Sequence, residues 1–263
     1  MILLTSVSFL HRWHKQRIYN YKTNLMTKDE RINRAISYAK KSMVEHVYNI
    51  IRLEGINFTF AETQTILEGV SVGGKSIQEV QITLNQKHAL QFLFDAVKYK
   101  TFSLSKAFVC ELHNYATYQE ALKWGIFRDS NVRISGTSYV PPAFYELDHL
   151  WQEDIAKPHQ QFLAGDKANL YSHAIYIFAT MAKHQFFFDG NKRMGRYIMN
   201  GILLSEGYPS IDVPYIKKEA FITLLLDFYS HNDITALQTF MKDCLNQYDV
   251  EGIGYNLTEL KNM

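Results

Sequence analysis

Apolar residues recur at helical spacing along most of the chain. After Thr27, the positions Ile32, Ala35, Ile36, Ala39, Met43, Val47 and Ile50 repeat at intervals of three and four. That spacing predicts an amphipathic helix ending near Leu53, where Glu54-Gly55 break it. Thr27 stands three residues before Glu30, and Thr59 three before Glu62, so each opens its helix with a capping-box pattern. Gly69, Gly73 and Gly74 mark a loop, and residues 76–99 and 103–115 read as two further helices. Between 124 and 142 the character changes. Gly125, Gly136 and Pro141-Pro142 punctuate the alternating Val132 and Ile134 and then Tyr139 and Val140, which predicts a short β-hairpin. Helical pattern resumes near Ala143. Leu170, Ala174, Ile177, Phe178 and Met181 form one core stripe. Met194, Ile198, Ile202 and Leu203 form a second, on a helix running to about Glu206 and closed by Gly207. The fold class is all-α with one short hairpin, without internal repeats or low-complexity tracts.

Composition narrows the class. A chain of 263 residues with 47% hydrophobic and 21% charged residues is an ordinary globular protein with room for a large core. Aromatics reach 14%, and a ring-filled core accounts for most of them. A net charge of +2 is too mild for a nucleic-acid binder, and little chain follows the core to make a winged helix. The basic patch His11, Arg12, His14, Lys15 and Arg17 reads as a solvated face or a protein contact. Cys110 and Cys244 lie far apart in apolar helical contexts, as reduced core residues do, and no Cys/His cluster suggests zinc. No apolar run has the length of a membrane span. The apolar start has neither a preceding basic region nor a small-residue cleavage site, so it is expected to be part of the fold and the protein cytoplasmic.

The densest chemistry lies at 184–196, His-Gln-Phe-Phe-Phe-Asp-Gly-Asn-Lys-Arg-Met-Gly-Arg, between the two core stripes. A helix entered through Gly190 presents free N–H groups and the positive end of its dipole, which suits phosphate oxygens. Arg193 and Arg196, three apart, share one helix face and can act as bidentate donors to the same anion. Asp189 offers a hard carboxylate to a divalent cation, and Asn191 orients either a phosphate or the turn. The same residues also compose an ordinary turn and cap with two arginines on a solvated face.

This segment resembles the signature of the Fic (Fido) family, His-Pro-Phe-x-Asp/Glu-Gly-Asn-Gly/Lys-Arg-x-x-Arg. The resemblance implies a helical Fic core that transfers AMP from ATP, or from another nucleoside triphosphate, to a hydroxyl of a target protein. Doc-like members of the superfamily transfer phosphate instead. By resemblance, Asp189 holds Mg2+, Gly190, Asn191 and Lys192 form the anion nest, and Arg193 and Arg196 grip the phosphates. Residues 125–142 are similar to the family's flap, so Val132, Arg133, Ile134, Ser135 and Gly136 are expected to align an extended segment of a protein substrate. An exposed edge suits that task, because backbone pairing tolerates many sequences.

Residues 53–57 and 68–76 resemble the helical region that precedes many Fic cores, where an inhibitory helix carries Ser/Thr-x-x-x-Glu-Gly/Asn. Glu54-Gly55 fit its end, with Ile50 where Ser or Thr stands in the family. The implied role of Glu54 is to pair with Arg196 and withdraw it from the γ-phosphate. The resemblance covers roughly residues 50–245. It divides the chain into an N-terminal helical region (1–100), a Fic-like core (101–245) and a C-terminal tail (246–263). Family members often form homodimers, and neither nucleic acid nor a membrane is an expected partner.

One departure bears on chemistry. Four residues before Asp189, where the family has its histidine, stands Gln185; His184 lies one position early, and Phe186 replaces the proline. A histidine can take the proton of an attacking hydroxyl near neutral pH, whereas an amide only orients by hydrogen bonds. Three arrangements follow. A one-residue bulge brings His184 to the catalytic place, or Gln185 occupies it and transfer is slow, or the cleft binds nucleotide for another purpose. Lys192 stands where adenylyltransferases commonly have glycine and Doc-like members have lysine, which leaves open which phosphate is attacked.

Overall fold

The structure, a computed structural model, describes residues 26–263. The basic patch at 11–17 lies outside them. Thr27 and Thr59 each accept a hydrogen bond from the N3 amide while Glu30 and Glu62 reach back, so both capping boxes form; Ser76 and Glu79 make a third. Capped in this way, α1 (Lys28–Lys41), α3 (Phe60–Leu67) and α4 (Ile77–Lys98) start where the sequence signals them. The long helix expected from 28 to 53 is two. It breaks at Ser42, and α2 (Met43–Leu53) follows. The bend lets α1 lie along α4 and the C-terminal α12 (Gln247–Ile253), while α2 packs on α3 and α4. α5 (Lys106–Ala116) is capped by the Ser105 hydroxyl.

The predicted hairpin does not form. Among the described residues there is no strand, only an isolated antiparallel bridge between Ile211 and Leu245. Residues 125–142 run as an irregular loop because side chains take the groups a ladder needs. Arg128 donates to the carbonyls of Ser130 and Pro142, the Asn131 side chain accepts from the Phe144 amide, and Pro141 and Pro142 bring no N–H. Past this loop, α6 (Leu147–Leu150) passes through a π-helical stretch, Trp151–Ala156, into α7 (Lys157–Ala164).

The core is centred on the paired helices α8 (Leu170–His184) and α9 (Asn191–Ser205). Almost every residue of α9 is buried, Met194, Ile198, Met199, Leu203 and Leu204 completely so. Gly195 makes the pairing possible: a Cβ there would lie 2.7 Å from the Phe178 carbonyl oxygen. Two polar side chains of this buried helix are bonded to its neighbours. Tyr197 donates to Gln86 at 2.7 Å, and Asn200 exchanges two hydrogen bonds with the backbone of Ile211. α10 (Lys218–His231) and α11 (Thr235–Lys242) pack on α8. α12 and α13 (Leu257–Lys261) bury Val250, Ile253 and Leu260 in the hydrophobic cluster that also contains Ile32 and Phe178. No helix among the described residues is long and apolar enough to cross a membrane.

Candidate functional site

The turn joining α8 to α9 is held from both sides. Gln185 ends α8 in the left-handed conformation (φ 54°), and Gly190 opens α9 in the same region (φ 73°). At Gly190 any side chain is excluded twice, because a Cβ would also approach the Thr117 methyl to 2.7 Å. Asn191 staples the turn: its Oδ1 accepts from the Phe187 amide at 2.9 Å, and its Nδ2 donates to the Phe187 carbonyl and to Gln185 Oε1. Below, the His113 ring stacks on Phe187 at 3.8 Å. His113 Nδ1 accepts from the Gly125 amide, so Nε2 carries the proton and donates to the Asp189 carbonyl at 3.1 Å. Burial pushes the His113 pKa down to about 3 and keeps the ring neutral. Arg128, also buried, donates from Nε to the Gln185 carbonyl at 2.6 Å and thereby fixes the base of the 125–142 loop to the turn.

No side chain caps the first turn of α9, so its opening amides keep their capacity to bind an anion. They face a cleft of about 290 Å³. Gln185, Phe188, Asp189, Gly190, Asn191 and Lys192 form one wall, Arg133, Ile134 and Ser135 of the loop a second, and Ile222, Leu225, Leu226 and Tyr229 of α10 a third; Glu54 closes the end. Gly136 borders it through Leu226, whereas Val132 is not in the lining. The structure therefore brings together most of the residues singled out from the sequence. It does not bring His184. That ring points away from the cleft, its Nε2 lies 2.7 Å from Asp154 Oδ2, and burial lowers its pKa despite the carboxylate.

The two arginines lie beneath the cleft, each facing a glutamate. Arg196 Nη2 is 3.4 Å from Glu54 Oε1, the contact implied by the resemblance. Arg193 is held differently. Its Nη1 and Nη2 donate to the two oxygens of Glu120 at 2.8 and 2.5 Å, while Glu54 is 3.9 Å from its Nε. Burial works to raise the Glu54 pKa, but the charges of Arg193, Arg196, Lys192 and Lys218 outweigh it and hold the carboxyl below its usual range. Asp189 is exposed, and its Oδ1 accepts from the Gly190 amide at 2.6 Å. A single carboxylate suits Mg2+ that takes its other ligands from phosphates and water. No cluster of three or more His, Cys, Asp or Glu among the described residues is arranged to hold a metal.

Sequence reasoning missed Glu120, His113, Arg128, Asp154 and the α10 wall. Glu120 is an isolated acid in a turn and His113 a helical residue on an apolar face, so neither carries a local signal. Only Arg128 had one, as an arginine inside the loop that is similar to a flap.

Residues 103–203 match the model of the Fic/DOC family. Among curated proteins the chain is 28% identical over 220 residues to the protein adenylyltransferase Fic of Drosophila mojavensis, covering 81% of this chain and 42% of that protein. The protein of the same name from Drosophila grimshawi is also 28% identical over 220 residues, 43% of its length. The chain thus spans less than half of these relatives. Among solved structures, Fic-1 (residues 134–508) from C. elegans superposes with a TM-score of 0.71 at 18% identity, over 95% of this chain and 73% of that one. A Fic domain containing signaling protein from Bacteroides thetaiotaomicron gives 0.73 at 17% identity, over 93% and 97%. At such identities the agreement is one of fold. Residues 103–203 are thus similar to the Fic/DOC family, and the helical fold around them is that of Fic structures.

Proposed function

We propose that the cleft binds a Mg-nucleoside triphosphate, ATP in the first instance, and slowly transfers AMP, with release of pyrophosphate and the hydroxyl proton, to a hydroxyl of a protein segment lying along residues 132–136. The uncapped start of α9 carries this reading: free amides at Asn191 and Lys192 face a cleft shared with Glu54 and the 133–135 loop. The opening amides and Lys192 receive phosphate oxygens, and Asp189 holds Mg2+, which supplies charge neutralisation when bound. Glu54 opposes the γ-phosphate and occupies Arg196. Its withdrawal frees a buried arginine whose hydrogen bond to Glu54 is long, 3.4 Å, and whose Nε has no partner. The adenylyltransferase names of the relatives support AMP as the transferred group.

The slow rate rests on Gln185. Its Nε2 donates to the Ala182 carbonyl at 2.6 Å and its Oε1 accepts from Asn191, so the amide holds the turn and takes no proton. The same observation favours a second reading, a nucleotide-binding module without efficient chemistry. Labelled ATP separates the two. With Glu54→Gly, label from the α-phosphate is expected on protein, and Gln185→His is expected to raise it by roughly 10²- to 10⁴-fold. Label arriving only from the γ-phosphate would mean Doc-like phosphate transfer. No transfer in any variant, together with a melting temperature raised by Mg-ATP, would leave the binding module.

A further inference from the structure

The two arginines of the 189–196 segment are paired so unequally that they cannot share one role. Arg196 makes one long contact, 3.4 Å, to Glu54. Arg193 makes two short bonds to Glu120 and a third, 3.5 Å, to the Ala116 carbonyl, and it is 1% exposed. A paired guanidinium fork is the stronger and geometrically more demanding arrangement. Removing one partner of such a buried pair leaves an uncompensated charge, which a phosphate arriving from the cleft would have to overcome. Arg193 is absent from the cleft lining, and its Nη2 lies 3.6 Å from where a Gly190 Cβ would stand. The guanidinium therefore sits under the anion-binding turn, not beside its occupant. Glu120 comes from outside the motif, in the turn after α5, where its amide donates to the Thr117 carbonyl. Thr117 is also the residue whose methyl closes over Gly190.

We propose that Glu120 is a positioning residue of this site: it holds Arg193 beneath the turn, so that Arg193 aims the amides of Asn191 and Lys192 and is not itself a phosphate ligand. When Glu54 withdraws, Arg196 then loses its one hydrogen-bonded carboxylate, whereas Arg193 loses a 3.9 Å contact and keeps Glu120. The inference rests on the nucleotide reading above. It assigns a function to Glu120 and takes one away from Arg193.

The test uses the full chain carrying Glu54→Gly, with ATP, ADP and AMP titrated calorimetrically. Direct ligands of the outer phosphates alter the ratio of ATP to AMP affinity, whereas a support for the turn alters all three affinities together. Glu120→Gln and Arg193→Met are each expected to weaken ATP, ADP and AMP by a common factor of about ten. The double variant is expected to be no weaker than either single one, because the two residues act as a unit. Glu120→Asp, which keeps the charge, is expected to recover most of the loss. Arg196→Met should weaken ATP more than AMP. The proposal is overturned if Arg193→Met selectively weakens ATP, if Glu120→Gln strengthens binding, or if the single effects add. Should no nucleotide bind Glu54→Gly, the nucleotide reading fails on its own. Inorganic pyrophosphate then carries the same comparison, and an unchanged affinity in Glu120→Gln removes the positioning role.

Discussion

The two halves of the central turn, the aromatic 184–188 and the polar 189–193, are held in opposite ways. In the first half, the polar side chains bond to the protein. His184 faces Asp154, Gln185 bridges the Ala182 carbonyl and Asn191, and Phe186 and Phe187 are fully buried. In the second half, Asp189 is exposed, Lys192 lines the cleft, and the opening amides of α9 have no capping side chain. A helix C-terminus presents carbonyls that the chain itself satisfies, here with an arginine from the loop. A helix N-terminus presents N–H groups that can be left for a ligand. The first half is tied into the protein and the second lies open to the cleft, and the difference follows from the direction of the backbone.

His113 joins the halves, stacking on Phe187 in one and bonding to the Asp189 carbonyl of the other, so acid should break the comparison most severely. Its folded pKa, about 3, lies below the ordinary histidine value near 6.5. As pH falls, the unfolded chain takes the proton first. Stability is therefore full above about pH 6.5, falls by about 1.4 kcal/mol per unit down to about pH 3, and then levels for this group. His159 and His173, whose burial lowers each pKa to about 4, add to the slope. Urea unfolding between pH 7 and 4 measures it. His113→Gln should remove one proton from that slope, and an unchanged slope would show that the ring is not kept neutral.

A smaller effect is expected from Gly190→Ala, which attacks the second half alone. Left-handed strain and the clash with Thr117 together cost about 3 kcal/mol. Because the turn shifts, the Mg-ATP-induced rise in melting temperature should vanish with it. An alanine variant that melts like wild type would contradict the tight approach. The smallest effect is on the first half. His184→Ala removes the contact to Asp154 and should cost about 1 kcal/mol. It should leave the Mg-ATP shift in melting temperature intact. Loss of that shift would return His184 to the cleft, and with it the bulged arrangement of the turn.

Much of this was legible in the chain, and the exceptions share a cause. Capping boxes at Thr27 and Thr59, the stripes of α8 and α9, and the glycine at the start of α9 are local, encoded within four residues of the positions they govern. The break at Ser42 was not legible, because the apolar spacing runs unbroken from Ile32 to Ile50 and only packing on two different neighbours bends it. The hairpin failed for a related reason. Alternation at Val132 and Ile134 is real, but Arg128 and Asn131 take the backbone groups that a ladder needs. The pairing of Glu54 with Arg196 could be expected from a resemblance; that of Glu120 with Arg193, across 73 residues, could not.

By itself, then, the sequence determined where most helices begin, which of their faces are apolar, and that a helix entered through a glycine follows Asp189. These are consequences of backbone geometry and side-chain spacing acting over one or two turns. The tertiary structure alone decided that His184 turns to Asp154 and not to the cleft, that Gln185 is a strut, and that the two arginines have different partners. Such choices depend on which charges burial brings within a few ångströms of one another, and that distance is not a property of local sequence.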